Sequence, residues 1–187
     1  MRGLKRLLDL LVAAALLLLL APLLLLIALL VRLDSPGPAL FCQQRVGRGG
    51  VPFAMFKFRS MVIDAPQLGG YSTAAGDPRI TRCGRWLRRT SLDELPQLIN
   101  VVRGEMSVVG PRPDVPAQRQ EYTASEWELR HRVRPGITGL AQATVRSHAQ
   151  PGERTALDLR YVQEQSLGLD LRILLLTVRQ LLLRRSF

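Results

Sequence analysis

Residues 10–31 form a stretch of 22 residues without a charged side chain, composed mainly of Leu, Ala, Val and Ile. A helix of about 20 apolar residues is long enough to cross the hydrocarbon core of a bilayer. The apolar core of a cleavable signal peptide is shorter, about 7–15 residues, and no small-x-small cleavage site follows this stretch. The first constraint on the chain is therefore that this segment must enter a membrane.

Pro22 lies near the middle of the apolar stretch. It removes a backbone donor and clashes with the carbonyl of Leu18, at a cost of about 3 kcal/mol in a helix interior. The arms on either side, residues 10–21 and 23–31, are about 18 and 14 Å long, so neither arm spans a bilayer alone. Lysines and arginines flank both ends of the stretch, and the positive-inside rule places such flanks in the cytoplasm. Two geometries stay open: a kinked helix that crosses, or a hairpin that enters and leaves by one face.

The rest of the chain predicts a globular part that begins at the turn cluster of residues 34–38. The whole chain carries 26 Lys and Arg against 15 Asp and Glu, a formal charge of +11, which predicts an anionic partner. Its two cysteines, Cys42 and Cys83, exclude a disulfide scaffold and indicate a reducing compartment. Residues 167–187 are rich in Leu but interrupted by charges, which predicts either a helix in the headgroup plane or a core helix.

Residues 51–61 combine aromatic and apolar side chains with Lys57 and Arg59, two positions apart. On a strand both cations would project from one face. They would then either bind an anion or protect a solvated strand edge from unwanted pairing.

Asp93 and Glu94 follow a basic run and precede an amphipathic helical pattern for which Gly104 supplies a stop signal. One interpretation is a capping box from Ser91 to Glu94. Pro96 argues against it and favours Asp93 as the N-cap, which places both carboxylates at the positive end of a helix. There Asp93 would stay ionised and available as a nucleophile or metal ligand. Capping with a surface ion pair remains the alternative.

Arg112 stands between two prolines, so its turn is rigid and suits a bidentate phosphate contact; a plain surface cation is the alternative. Asp158 lies on a predicted helix with Arg154 four residues before it, and an ordinary helical ion pair is its simplest role. The P-loop, GxSxG, HExxH and GxGxxG motifs are all missing, which argues against standard nucleotide hydrolases and Rossmann enzymes.

Several ordered motifs resemble the monotopic phosphoglycosyl transferases, the bacterial sugar transferases that start glycoconjugate assembly on polyprenol phosphate. These motifs are KRLLDL, DSPGPALFCQQRVGRGG, FAMFKFRSM, SLDELPQLINVVRGEMSVVGPRP, RHRVRPGITGLAQ and LDLRYVQEQSLGLDLRIL, and they run nearly from end to end. The resemblance implies a mostly helical α+β fold. Residues 1–33 would form a re-entrant helix-break-helix, and residues 34–187 a cytoplasmic catalytic domain with interfacial amphipathic helices.

The resemblance also implies the activity. A sugar 1-phosphate would pass from a UDP-sugar to polyprenol phosphate at the cytoplasmic face of the bacterial inner membrane, with Mg²⁺ as cofactor and UMP as by-product. Asp93 matches the nucleophile, which forms a phospho-sugar intermediate and contacts the metal, and Glu94 matches its dyad partner. The motifs place further residues at the substrate site: Lys57, Arg59, Arg88, Arg112, Arg146 and Asp158.

The sequence departs from the family at the membrane break, where Ala21-Pro22 stands in place of Ser-Pro and no hydroxyl satisfies the carbonyl that proline frees. No multi-span domain precedes the match, so we expect the small form of the family, in contact with membrane phospholipid and without a nucleic-acid partner. The apolar helices leave room for a homodimer. The competing hypothesis is a membrane-anchored adaptor that binds an anionic lipid or nucleic acid without catalysis; such an adaptor would have no use for Asp93 and Glu94.

Overall fold

The computed structural model describes residues 2–70, 73–74, 76–145 and 151–182. These residues are mostly helical, with two small two-stranded sheets. The elements are α1 (Arg2–Asp34), β1 (Leu40–Val46), β2 (Pro52–Phe58), α2 (Ala65–Leu68), α3 (Arg82–Thr90), α4 (Gln97–Arg103), β3 (Ser107–Val109), α5 (Ala124–Arg130), β4 (Gly136–Thr138), α6 (Leu140–Thr144), α7 (Pro151–Glu164) and α8 (Leu167–Leu182). The mostly helical α+β class expected from the sequence is confirmed.

Helix α1 runs through Pro22 without interruption and ends at Asp34, directly before the turn cluster. Its 33 residues correspond to about 50 Å. The break that we expected between two arms is therefore not seen as a gap in the helix. Within the part of the chain that the structure describes, α1 is the one helix long and apolar enough to cross a membrane.

One stripe of α1 packs against the globular part along almost the whole helix. Ala13 lies in a core with Phe53, Met55 and Leu98, and Ile27 and Val31 lie in a second core with Phe58 and Leu87. The opposite face is apolar as well: Leu18, Leu19 and Leu25 are 79%, 75% and 73% exposed. A helix with apolar residues on both faces and protein on only one of them indicates that lipid covers the other.

Strands β1 and β2 form an antiparallel hairpin in which Phe41 pairs with Lys57 and Gln43 with Met55. The predicted strand over residues 51–61 is confirmed for its central part. The strand ends at Phe58, however, so Arg59 lies beyond it and the expectation that Lys57 and Arg59 share one face is wrong. Their side chains bind different parts of the molecule, as described below.

The second sheet pairs β3 and β4 in parallel, so that Ser107 lies opposite Gly136 and Val109 opposite Thr138. The close approach of these two segments requires glycine at position 110. A Cβ built there would lie 2.5 Å from the carbonyl oxygen of Arg134. This sheet joins the residues that follow α4 to the residues that precede α6.

Helix α8 packs Ile173 into a core with Val109 and Tyr161, which confirms the core-helix alternative for its inner face. Its outer face carries Leu171, Leu175 and Val178, all more than half exposed and spaced as one helical stripe. The headgroup-plane alternative for this segment stays a prediction, and residues 183–187 lie outside the described part of the chain.

Candidate active site

Asp93 and Glu94, called the dyad below, lie in a tight turn between α3 and α4. Helix α3 ends at Thr90. Ser91 follows it with a left-handed φ of 57° and leads into a 3₁₀ turn over Leu92–Glu94. Ser91 makes no side-chain cap, and α4 starts only at Gln97 with Pro96 before it. Both sequence-based alternatives, the capping box and Asp93 as N-cap, are therefore wrong. Because Pro96 precedes α4, its missing N–H removes no helical hydrogen bond.

Glu94 is held by two cations. Its Oε1 accepts hydrogen bonds from Lys57 Nζ at 2.7 Å and from Arg112 Nη2 at 3.0 Å. Lys57 comes from the end of β2, and Arg112 comes from the turn after β3. Charge-assisted contacts of this length fix the carboxylate strongly, so Glu94 links three segments that are distant in sequence.

Asp93 is held much more loosely, although its side chain is only 10% exposed. Lys57 Nζ lies 4.0 Å from its Oδ2, which is an ion pair without hydrogen-bond contact. Among the described residues, neither carboxylate oxygen of Asp93 has a hydrogen bond. Asp93 is thus a carboxylate in a cationic environment with its oxygens available to a ligand.

The two carboxyl groups differ in acidity for physical reasons. Burial raises the pKa of Asp93, the positive charge of Lys57 opposes that shift, and the negative charge of Glu94 adds to it. Burial also disfavours the charged form of Glu94, but Arg112 and Lys57 outweigh it and hold the pKa of Glu94 well below its usual range. The sequence-based expectation that arginines and a helix end would dominate at Asp93 is corrected: burial dominates there.

Arg112 projects from a turn that is fixed on both sides. Arg45 Nη1 donates to the carbonyl of Pro113 at 2.7 Å, and Arg130 Nη2 donates to the carbonyl of Arg112 at 2.8 Å. The Arg112 side chain itself is 46% exposed. A partly exposed guanidinium on a fixed turn can reach a bound anion while it keeps its contact with Glu94.

Arg88, on α3, faces the same region. Its Nε donates to Ser60 Oγ at 2.8 Å. Burial lowers the pKa of Arg88, and the charge of Asp93 is the strongest influence that raises it, which indicates that the two groups lie near each other. The close approach of α3 depends on Gly84, because any Cβ there would collide with the backbone of Ser60.

Arg59 binds elsewhere. Its guanidinium donates to the carbonyl of Pro38 at 2.7 Å, to Ser35 Oγ at 2.6 Å and to the carbonyl of Ser35 at 2.8 Å. These contacts tie the end of α1 to β2, a structural role that separates Arg59 from the cations around the dyad. Arg146, also predicted to bind substrate, lies outside the described residues.

Asp158 is buried and pairs with Arg130 at 2.7 Å, whereas the sequence predicted Arg154 as its partner. Arg130 also pairs with Asp114, so one guanidinium joins two carboxylates. Arg130 also donates to the carbonyl of Arg112, so Asp158 stabilises the Arg112 turn through Arg130. Its position does not place it in contact with the dyad.

The sequence profile of the bacterial sugar transferases matches residues 1–184. The chain belongs to this family. A UDP-glucose:undecaprenyl-phosphate glucose-1-phosphate transferase of Caulobacter vibrioides is 50% identical over 95% of this chain and 69% of its own length. The undecaprenyl-phosphate glucose phosphotransferase of Komagataeibacter xylinus is 47% identical over 97% of the chain but 36% of its own length. An exopolysaccharide production protein, PSS, of Rhizobium leguminosarum is 46% identical over 94% of the chain and 93% of its own length. The chain thus spans about a third of one relative and most of another.

The dyad also provides carboxylate oxygens of the kind that Mg²⁺ prefers. The described residues contain no group of three His, Cys, Asp or Glu side chains that could hold a metal alone. Mg²⁺ commonly binds through one or two carboxylates together with substrate phosphates and water. Glu94 is occupied by its two cations, whereas Asp93 has open oxygens, so the donor set fits a metal that arrives with a diphosphate.

Two residues of this site were not predicted from the sequence. Arg45 lies 68 positions from the carbonyl that it binds, and Arg130 is buried and lies 28 positions from Asp158. Their acceptors are backbone carbonyls or distant carboxylates, which leave no local pattern.

Proposed function

We propose that this sugar transferase moves a sugar 1-phosphate from a UDP-sugar to polyprenol phosphate, with Asp93 as the nucleophile. Two of the relatives named above bear names that specify both undecaprenyl phosphate and glucose. UDP-glucose is therefore the donor to test first. The observation that carries the proposal is the contrast within the dyad, where Glu94 is fixed by two cations and Asp93 keeps its oxygens available.

The proposed reaction has two displacements. In the first, an oxygen of Asp93 attacks the phosphorus that bears the sugar; the bond to the bridging oxygen breaks and UMP leaves. In the second, a phosphate oxygen of the polyprenol acceptor attacks the same phosphorus, and the bond to Asp93 breaks. The products are polyprenyl diphosphate sugar and the original carboxylate, so the enzyme is restored.

The surrounding cations make the first displacement feasible. An anionic nucleophile that approaches an anionic diphosphate is repelled unless positive charge stands between them. Lys57, Arg88 and Arg112 supply such charge from three segments. Mg²⁺ bound by Asp93 and the diphosphate would neutralise further charge on the leaving UMP.

Glu94 acts in this proposal as a positioning residue. Its lowered pKa keeps it ionised at neutral pH and makes it a weak base. It holds Lys57 and Arg112 in place, and its negative charge neutralises part of their positive charge. This role differs from that of a general base that deprotonates the acceptor.

The course of α1 supports a monotopic arrangement. Near its start, Lys5 Nζ lies 2.7 Å from Asp170 Oδ2, and at its end Asp34 Oδ2 accepts from the amide of Cys83 at 2.9 Å. Both ends of α1 thus bind the same domain. A crossing helix would carry one end about 30 Å away, to the other side of the bilayer. We therefore propose that residues 1–33 enter and leave by the cytoplasmic face.

The activity test measures UMP released from UDP-glucose by the purified full chain with Mg²⁺ and polyprenol phosphate. We expect many UMP molecules per enzyme, and one polyprenyl diphosphate glucose for each. A reaction without acceptor is the control and should stop after one UMP per enzyme. A panel of UDP-sugars identifies the donor. No UMP from any of these donors would favour the adaptor hypothesis.

The topology test uses single cysteines at Gly3 and Leu40 in a background with Cys42→Ser and Cys83→Ser. In sealed vesicles of known orientation, a reagent that cannot cross the membrane should label both positions from the cytoplasmic side. Labelling from opposite sides would establish a spanning helix.

A further inference from the structure

An open cleft lies at the start of α1, away from the dyad. Five cations and one carboxylate are among the side chains that line it: Lys5, Arg6, Asp9, Arg48, Arg132 and Arg134. Arg6 binds the carbonyls of Val101 and Val102 at the C-terminal end of α4. The dyad precedes the other end of α4, about 10 Å away along the helix axis. The cleft and the dyad are therefore separate sites.

The charges of the cleft are only partly balanced by the protein. Lys5 is paired with Asp170, and Asp9 accepts from Ser107 Oγ at 2.8 Å and from the amide of Val108 at 3.0 Å. Within the described ranges, the guanidinium groups of Arg48 and Arg132 have no hydrogen bond and no ion pair. They are the two cations of the cleft that are free to bind a ligand.

Arg134 brings another guanidinium into the same cleft, beside that of Arg6. Its Nε donates to the carbonyl of Gly104 at 2.7 Å, which fixes the side chain near Arg6. Burial lowers the pKa of Arg134, and the positive charges of Arg6 and Arg48 lower it further. Like charges this close repel one another unless an anion lies between them. Guanidinium groups bind phosphate oxygens in a bidentate manner, so phosphate is the anion that best suits the cleft.

The position of the cleft along α1 indicates which molecule carries the phosphate. The exposed apolar face of α1 begins at Leu4, Leu7 and Leu8, on the same turns of the helix as Lys5 and Arg6. The cleft therefore lies where apolar surface gives way to polar surface, which is the depth of lipid headgroups. Basic pockets at this depth attract anionic lipids.

The geometry points to a binding site for the headgroup phosphate of an anionic phospholipid between the first turns of α1, the Arg48 turn and the Arg132–Arg134 loop. The bound lipid would join these three segments and hold α1 at the membrane surface. Zwitterionic phosphatidylcholine carries the same phosphate, but its ammonium group would be repelled by the remaining arginines. The site does not depend on the proposed catalytic chemistry.

The test is native mass spectrometry of the full chain in detergent with equal amounts of phosphatidylglycerol and phosphatidylcholine. We expect wild type to retain one phosphatidylglycerol with a preference on the order of tenfold. Arg48→Ala with Arg132→Ala should remove that preference. Arg82→Ala with Arg85→Ala is the matched control, because it removes the same charge from exposed positions on α3 and should keep the preference. Asp93→Asn should keep it as well, which separates this site from the proposed activity.

Four results would overturn the proposal. Equal retention of both lipids by wild type would show that the cleft does not select anionic headgroups. Equal loss in the two double variants would show diffuse attraction instead of a built site. If millimolar inorganic phosphate displaced the lipid, the cleft would be a site for a free anion. If the protein retained polyprenol phosphate but not phosphatidylglycerol, the cleft would be a site for the acceptor.

Discussion

Two clusters of carboxylates and cations lie on either side of the Arg112 turn. In the dyad cluster, Lys57 and Arg112 bind Glu94 and leave Asp93 open. In the cluster behind the turn, Arg130 joins Asp114 to Asp158, and all three are at most 5% exposed. The first cluster keeps an oxygen pair available to a ligand, whereas the second is closed and holds the backbone of Arg112. Similar residue types thus leave a carboxylate open to a ligand in one cluster and fix a backbone turn in the other.

The largest effect should come from the open carboxylate. Asp93→Asn keeps the shape of the side chain but removes the nucleophile, so we expect turnover to fall by at least about a thousandfold with little change in thermal stability. Glu94→Gln should retain measurable turnover, because it weakens the hold on Lys57 and Arg112 without removing the nucleophile.

Steady-state UMP release checks the difference between the two dyad variants. Asp64→Asn is the matched control, since Asp64 is exposed and makes no side-chain cap at the start of α2. Equal losses in the two dyad variants would contradict the division of roles within the dyad.

The next effect should come from the closed cluster and should appear as stability. Arg130→Ala leaves Asp114 and Asp158 buried without their cation, which costs about 3–5 kcal/mol. For a chain of this size we expect the thermal midpoint to fall by about 10 °C. Arg160→Ala is the control, because its pair with Glu164 is exposed and should contribute less than about 1 kcal/mol. A normal midpoint for Arg130→Ala would mean that the closed cluster does not hold the fold.

A smaller effect is expected at the turn that joins the two clusters. Arg112→Lys keeps the charge but loses the planar fork, so it should weaken binding of the donor diphosphate. We expect kcat/KM for UDP-glucose to fall on the order of ten- to a hundredfold, with stability nearly unchanged. Kinetics at varied donor concentration provide the measurement. A wild-type kcat/KM for Arg112→Lys would show that Arg112 is only a surface cation.

The smallest effect is a shift in pH dependence. The pKa of Asp93 is raised, and the nucleophile must be ionised, so kcat/KM should rise with pH until Asp93 is deprotonated and then level off. The negative charge of Glu94 adds to that raised pKa. Glu94→Gln removes this charge and frees Lys57 for Asp93, and both changes lower the pKa of Asp93. The acidic limb of the profile should therefore move to lower pH; movement to higher pH would contradict the electrostatic account.

The sequence was informative where a residue and its environment are close along the chain. Local patterns predicted the apolar helix over residues 10–31, the strand that covers residues 52–58 and the helix end at Gly104. The structure confirms all three. Asp93, Glu94 and Arg112 were recognised because two carboxylates beside a basic run, and an arginine between prolines, are unusual. In the structure, Arg112 and Glu94 form an ion pair at 3.0 Å.

The sequence failed where tertiary contacts decide. The left-handed Ser91 separates α3 from the dyad turn, although serine at that position favoured an N-cap. Arg59 and Arg130 use backbone carbonyls and distant carboxylates, so their roles depend on packing that no local pattern records. The raised pKa of Asp93 has the same origin, because burial outweighs the neighbouring cations there.

The most direct test of the central claim is the mass of the intact protein after brief exposure to UDP-glucose and Mg²⁺ without acceptor. We predict an added mass equal to one hexose phosphate on wild type, none on Asp93→Asn, and loss of the adduct when polyprenol phosphate is supplied. Peptide mapping should place the added group on Asp93. If wild type carries no adduct and UMP release strictly requires the acceptor, the sugar phosphate passes directly between substrates and Asp93 is not the nucleophile.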